Sequence, residues 1–153
     1  MKNFKSGAVI TLIFIIAIFC GCDNSDLSSV SENPDIASVI ERMPQGLFNP
    51  VSLNEIFLQD AVLICIHHST HKTVYKGIKE IGTFHKDAGK DWHNLKTTPK
   101  RINVANGQAE VDYAVSFDVG EPGQQSPWTC KGTAKMVKKG SNWMIKETTI
   151  TGT

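Results

Sequence analysis

From Pro34 onward the apolar positions follow two different rhythms. Ile36, Val39, Ile40 and Met43 recur at the three-and-four spacing that puts them on one helix face. Asn33 followed by Pro34 marks the start, because proline lacks only an N–H that the first turn leaves unpaired anyway. Pro44, Gly46 and Pro50 are expected to end that helix. A second, short helix is expected from Ser52, with Glu55 three positions on as a capping box and Leu53, Ile56 and Phe57 as its apolar face. Asp60 closes it, and the uninterrupted run AVLICI then reads as a strand buried on both faces. Thr73 to Lys76 reads as a short strand. Ile78 to about Ala88 reads as a third helix, whose buried stripe carries Ile78, Ile81 and His85 with Phe84 beside it.

Beyond that helix the period changes to two, and a meander of four strands is expected. RINVA and AEVDYAVSFDV flank Asn106-Gly107, a strong hairpin signal because both turn residues must tolerate positive φ. Val111, Tyr113, Val115, Phe117 and Val119 alternate with Asp112, Ala114, Ser116 and Asp118. After the loop GEPGQQSP, Trp128, Cys130, Gly132, Ala134 and Met136 alternate with Thr129, Lys131, Thr133, Lys135 and Val137. KKGSN turns the chain into a last strand, WMIKETTIT. Half-buried antiparallel strands show this alternation of one apolar and one polar face.

The first residues follow neither rhythm. Lys2 and Lys5 precede an apolar run from Ala8 to Phe19, broken only by Thr11 and shorter than the roughly 20 residues a membrane span needs. A basic start, a short apolar core and small residues after it read as an export signal. Gly21-Cys22 resembles the cleavage site of bacterial lipoprotein signals, in which a small residue precedes the cysteine that becomes the lipidated N-terminus. Phe19 and Cys20 depart from the residues that family favours. The resemblance implies a signal over 1–21, a lipid on Cys22 and a flexible, Ser-rich tether over 22–33 ahead of a domain over 34–153. It also implies a protein of the bacterial cell envelope, facing the periplasm and held to the membrane by that lipid. Asp23 hints at the inner membrane if the host sorts lipoproteins as enteric bacteria do.

The whole chain carries +1; without residues 1–21 it has 14 cations against 15 anions, a charge of −1. So balanced a body argues against nucleic-acid binding, which basic charge carries. Cys65 and Cys130 would remain in a compartment where disulfides form. A bridge between them and a pair of free buried thiols both stay open.

Helix, helix, two strands, helix and a four-strand meander is the order of the nuclear-transport-factor-2-like superfamily, which includes SnoaL-like cyclases, ketosteroid isomerases and many non-enzymatic binding modules. FLQDAVLI resembles that group's helix-end Asp leading into the first strand. VYKGIKEIGTF resembles the strand, glycine and helix that follow, and KGTAKMVKKGSNWMI the penultimate strand, turn and closing strand. The resemblance runs from about Asp35 to Thr151. It implies an α+β fold: a curved antiparallel β-sheet wrapped around N-terminal helices as a cystatin-like cone, with a pocket at the open end.

In ketosteroid isomerases a catalytic carboxylate sits on the first strand, five residues beyond the helix-end Asp. Here that position holds Cys65, and Asp112 lies out of phase with the apolar face of its strand. Cys65 and His67 share a strand face about 7 Å apart, within conceivable reach. A reactive thiol nevertheless needs an electropositive, partly exposed setting, and Ile64 and Ile66 flank this one. His67, His68 and His71 match no ordinary zinc spacing and read as a solvated strand end, so neither a metal nor another cofactor is expected. The pocket is expected to hold Cys65, His67, His85, Tyr113, Phe117, Trp128 and Met136. The leading reading is a non-catalytic domain for a small apolar ligand or an envelope protein. One alternative is a SnoaL-like enzyme using His67 or His85 as acid–base, with Tyr113 or Trp128 orienting substrate. Another is an assembly component that forms a homodimer through its sheet.

Overall fold

The computed structural model of the chain describes residues 30–67, 71–87, 91–121 and 123–152. The expected signal, Cys22 and Asp23 lie outside these residues. Val30 already packs against the core, ahead of the expected domain start at Pro34.

Helix α1 (Pro34–Phe48) buries Ile36, Val39, Ile40 and Met43 as its spacing requires, but it does not stop at Pro44. A proline inside a helix removes the N–H that would bond the carbonyl four residues back, here that of Ile40. That carbonyl instead accepts the hydroxyl of Thr97, a buried residue on a distant strand. The helix continues because tertiary structure replaces the missing donor. Gly46 lets the next helix approach: a Cβ there would lie 2.8 Å from Ile56 Cδ1.

Helix α2 (Pro50–Ile56) begins two residues before the expected Ser52. Its cap is Asn49, whose side chain accepts from Val51 N at 3.1 Å, with Pro50 in the first turn. Strand β1 (Phe57–His67) follows at once, so Asp60 lies within the strand and ends no helix. Ala61, Leu63 and Cys65 are buried, whereas Val62, Ile64 and Ile66 on the other face are only half-buried, so the strand is not buried on both faces.

Strand β2 (His71–Lys76) is three residues from β1, and the expected third helix is two short pieces, α3 (Gly77–Ile81) and α4 (Phe84–Asp87), broken at Gly82-Thr83. Ile81 and Phe84 are buried and Ile78 half-buried; the His85 side chain lies outside the described residues. Strand β3 (Trp92–Ala105) is much longer than RINVA, with irregularities at His93/Lys96 and Pro99/Arg101. As the edge strand of its sheet it accommodates Pro99, which a central strand would not.

Strands β4 (Gln108–Val119), β5 (Ser126–Lys139) and β6 (Asn142–Gly152) complete the meander. Asn106 and Gly107 both have positive φ, the geometry expected of the hairpin turn between β3 and β4. The curved, unclosed sheet has the order β2-β1-β6-β5-β4-β3. It is mixed and not purely antiparallel: β1 runs parallel to β6, with Cys65 opposite Ile150. The inward faces of the strands and the buried stripe of α1 form one core.

Candidate functional site

Curvature of the sheet leaves a cavity of about 190 Å3 at one end of its concave side. Cys65 and His67 reach it from β1, Trp92 from β3, Phe117 and Val119 from β4, Trp128 and Cys130 from β5, and Ile150 and Gly152 from β6. The wall is therefore apolar and aromatic, with His67 as its single ionisable group besides the two thiols. Among the described residues no carboxylate or amine lines it.

The aromatic part of this wall continues behind the cavity. Trp92 stacks on Phe117 with ring centroids 4.0 Å apart and 17° between planes. Phe84 of α4 meets Trp92 edge-on at 5.4 Å, and Tyr75 of β2 meets Phe84 at 5.7 Å. Such edge-to-face and offset pairs each add about 0.5–1.5 kcal/mol beyond area burial. The row links β2 and β3, the two edge strands of the sheet among the described residues. Trp128, by contrast, is 41% exposed and stands at the mouth.

Cys65 and Cys130 are both free and buried. They lie on strands either side of β6, Cys65 opposite Ile150 and Cys130 opposite Gly152. Two strand spacings of about 4.8 Å separate their backbones, more than the roughly 7 Å between Cα atoms that a disulfide spans. The bridge left open by the sequence is absent, and closing it would require the strands to move. Burial, with a smaller contribution from the neighbouring Cys130, pushes the Cys65 thiol up to about 12. Burial also raises Cys130. Nucleophilic thiols need the opposite shift, so the Cys65–His67 pair lacks the electrostatics of a reactive couple.

Two of the residues expected in the pocket sit deeper. Tyr113 is 2% exposed and its ring lies across Gly132, where a Cβ would come within 2.1 Å of Cζ. Its hydroxyl donates to Thr148 Oγ1 at 2.6 Å, because the Thr148 hydroxyl itself donates to the Thr133 carbonyl at 3.0 Å. Burial raises the Tyr113 hydroxyl well above the usual phenol range, against a smaller opposing effect of its bond to Thr148. Tyr113 is thus a core residue with its proton committed. Met136 is fully buried and does not reach the cavity. Asp112 faces away from the core and pairs with Arg101. Of the expected pocket residues, the structure brings Cys65, His67, Phe117 and Trp128 together.

Trp92, Val119, Ile150 and Gly152 also form the wall. Ile150 follows from the alternation of Thr148 and Ile150 at the end of the last strand, although a register shift beside Lys146 puts Ile145, and not Lys146, on the buried side before it. Trp92 was not, because DWHNLK carries no strand period and the residue becomes visible only when paired with Val119. A larger groove of about 640 Å3 runs outside the sheet between α1, α2 and the β5–β6 turn. Asp35, Arg42, Asn54, Glu55 and Asn142 line it. The ion pair in it, Arg42 to Glu55, is long at 3.9 Å and well exposed. Solvated polar walls of this kind gain little by excluding water, so the apolar concave cavity is the better ligand site.

No family model matches the chain, and no curated protein does. Solved structures do. A ketosteroid isomerase-like protein from Erwinia carotovora atroseptica superposes with a TM-score of 0.59 at 10% identity, covering 84% of this chain and 97% of that one. A nuclear transport factor 2-like superfamily protein from Salmonella enterica serovar Typhimurium gives 0.57 at 19% identity, over 82% and 92%. A protein of ketosteroid isomerase-like fold from Catenulispora acidiphila, solved in complex with trimethylamine, gives 0.55 at 15% identity, over 76% and 84%. Similarity at these identities speaks to architecture. The fold of this chain is the nuclear-transport-factor-2-like fold.

Proposed function

We propose that the domain binds a small, largely apolar molecule in the concave cavity without transforming it, and that a lipid on Cys22 holds it at the periplasmic face of a bacterial membrane. The observation that carries the binding reading is the composition of the cavity wall: aromatic and aliphatic side chains, two protonated thiols and one histidine. Acid–base chemistry of the isomerase type would need a carboxylate where Cys65 stands, and a thiol held near 12 is a poor base at neutral pH.

Size narrows the ligand. A dry engineered cavity of about 150 Å3 accepts benzene, so about 190 Å3 suits a single ring or a short acyl chain and excludes a steroid. The trimethylamine held by the Catenulispora protein is likewise small. Burying roughly 150–200 Å2 of such a ligand is worth at most about 4–5 kcal/mol, and the entropy of association opposes it, so the dissociation constant is no tighter than about the upper-micromolar range.

Toluene at millimolar concentration should therefore raise the unfolding midpoint of the chain. Cys130→Leu, which fills the cavity, should abolish that shift while the variant's own melt remains cooperative. His67→Gln should leave it nearly intact. Absence of any shift with toluene or a short fatty acid would remove the binding reading, and an unchanged shift in the Cys130→Leu variant would place the ligand elsewhere.

A further inference from the structure

The β1–β2 hairpin places two histidines together in a way that their sequence spacing does not reveal. The register aligns Leu63 with Tyr75, Cys65 with Thr73 and His67 with His71. Directly opposite residues of an antiparallel pair project to the same side, with Cβ atoms about 4.5–5.5 Å apart. Leu63, Cys65 and Tyr75 are buried toward the concave core, so His67 and His71 share that face at the connected end of the hairpin, where β1 passes into β2. His67 lines the cavity rim and is half-buried, while His71 is exposed. Two imidazoles at this separation can each turn a ring nitrogen toward one point between them.

We propose that His67 and His71 form a two-histidine site for a divalent late transition-metal ion of the zinc, copper and nickel class, at the mouth of the concave cavity. Neutral imidazole suits these ions, whereas magnesium and calcium require oxygen ligands, which this pair does not offer. Among the described residues no third His, Cys, Asp or Glu completes a cluster with them. The protein therefore supplies two ligands, and the remaining coordination positions are filled by water or by a donor atom of a molecule in the cavity. An otherwise apolar site gains from this a single Lewis-acidic anchor at its entrance. The site itself does not depend on the cavity being occupied, so it goes beyond the ligand-binding reading.

The test is titration of the full chain with zinc sulfate by calorimetry, and with copper sulfate by quenching of tryptophan fluorescence, since Trp92 and Trp128 line the same cavity. His67→Ala and His71→Ala should each weaken zinc affinity by about tenfold or more, and the double variant should be little worse than either, as expected for two residues acting as one unit. His93→Ala, on the opposite edge strand, should leave affinity unchanged. The proposal is overturned if the unaltered chain binds neither ion up to millimolar concentration, or if the two single variants bind zinc as tightly as it does. It is equally overturned if His68→Ala costs as much as His71→Ala, which would take the ion away from the cross-strand pair. Melting curves of each variant without metal separate lost affinity from lost fold.

Discussion

The bond between Thr97 and the Ile40 carbonyl can be tested by its dependence on Pro44. Pro44 cannot donate to the Ile40 carbonyl, and the Thr97 hydroxyl takes that role inside the core, where Thr97 is 5% exposed. Thr97→Val keeps the shape and deletes the donor, leaving a buried carbonyl unpaired at a cost of about 1–3 kcal/mol. In a domain of this size that lowers the melting temperature by roughly 4–12 °C. Pro44→Ala restores a backbone N–H four residues beyond Ile40, so the carbonyl regains its helical partner. In that background Thr97→Val should cost less than about 0.5 kcal/mol. The coupling between the two positions should therefore be about 1–2 kcal/mol, within the range seen for residues sharing a partner. Urea unfolding of the four proteins measures it, provided that the slope of stability against denaturant stays constant across the set. Equal cost of Thr97→Val in both backgrounds would refute the reasoning, because the carbonyl would then not be what joins them.

Gly132→Ala should displace the Tyr113 ring and break its bond to Thr148, since a Cβ would lie 2.1 Å from Cζ. A loss of about 3 kcal/mol or more by thermal melting, with a changed near-ultraviolet signal from aromatic residues, is expected. Cys65 should resist iodoacetamide at pH 8 in the folded chain and react readily in urea, because its thiol is held at about 12. The same shift makes stability fall as pH rises. Below the ordinary thiol value of 9.0 both states keep the proton, whereas between 9.0 and about 12 the unfolded chain loses it and the folded chain does not. The slope contributed is about 1.4 kcal/mol per pH unit, and Cys65→Ala should flatten the alkaline limb of a stability–pH curve. Mass analysis of the membrane-extracted protein should find acyl chains on Cys22 that are missing from Cys22→Ala, and an unacylated Cys22 in the unaltered protein would remove the lipid anchor.

What could be read from the sequence was what local spacing encodes. The stripe of Ile36, Val39, Ile40 and Met43, the Asn106-Gly107 turn and the alternation through β4 and β5 each depend on neighbours a few residues away. Pro44 was misread because its remedy, Thr97, comes from another strand. Asp60 was misread because an exposed polar residue fits a strand as well as a helix end. The first nine of the 14 residues of β3 are not legible because an edge strand tolerates Pro99 and two irregularities that blur its period. The site divides in the same way: Cys65, Phe117 and Trp128 follow from strand phase, but Trp92 and the pairing of His67 with His71 depend on register, which no local pattern carries.

The parallel pairing of β1 with β6 has a consequence for the order of folding. Hairpins β1–β2, β3–β4, β4–β5 and β5–β6 join neighbours in the chain, and each can form as soon as its own residues are free. The seam between β1 and β6 joins the first strand to the last, so the entropy of closing nearly the whole domain is spent at that one step. A non-local seam of this kind slows folding relative to a sheet built of local hairpins alone. A chain made from its N-terminus cannot complete the sheet until β6 has emerged, and until then Leu63 and Cys65 have no partner on that side. The late strand acts as a latch: the sheet closes only once the whole chain is available.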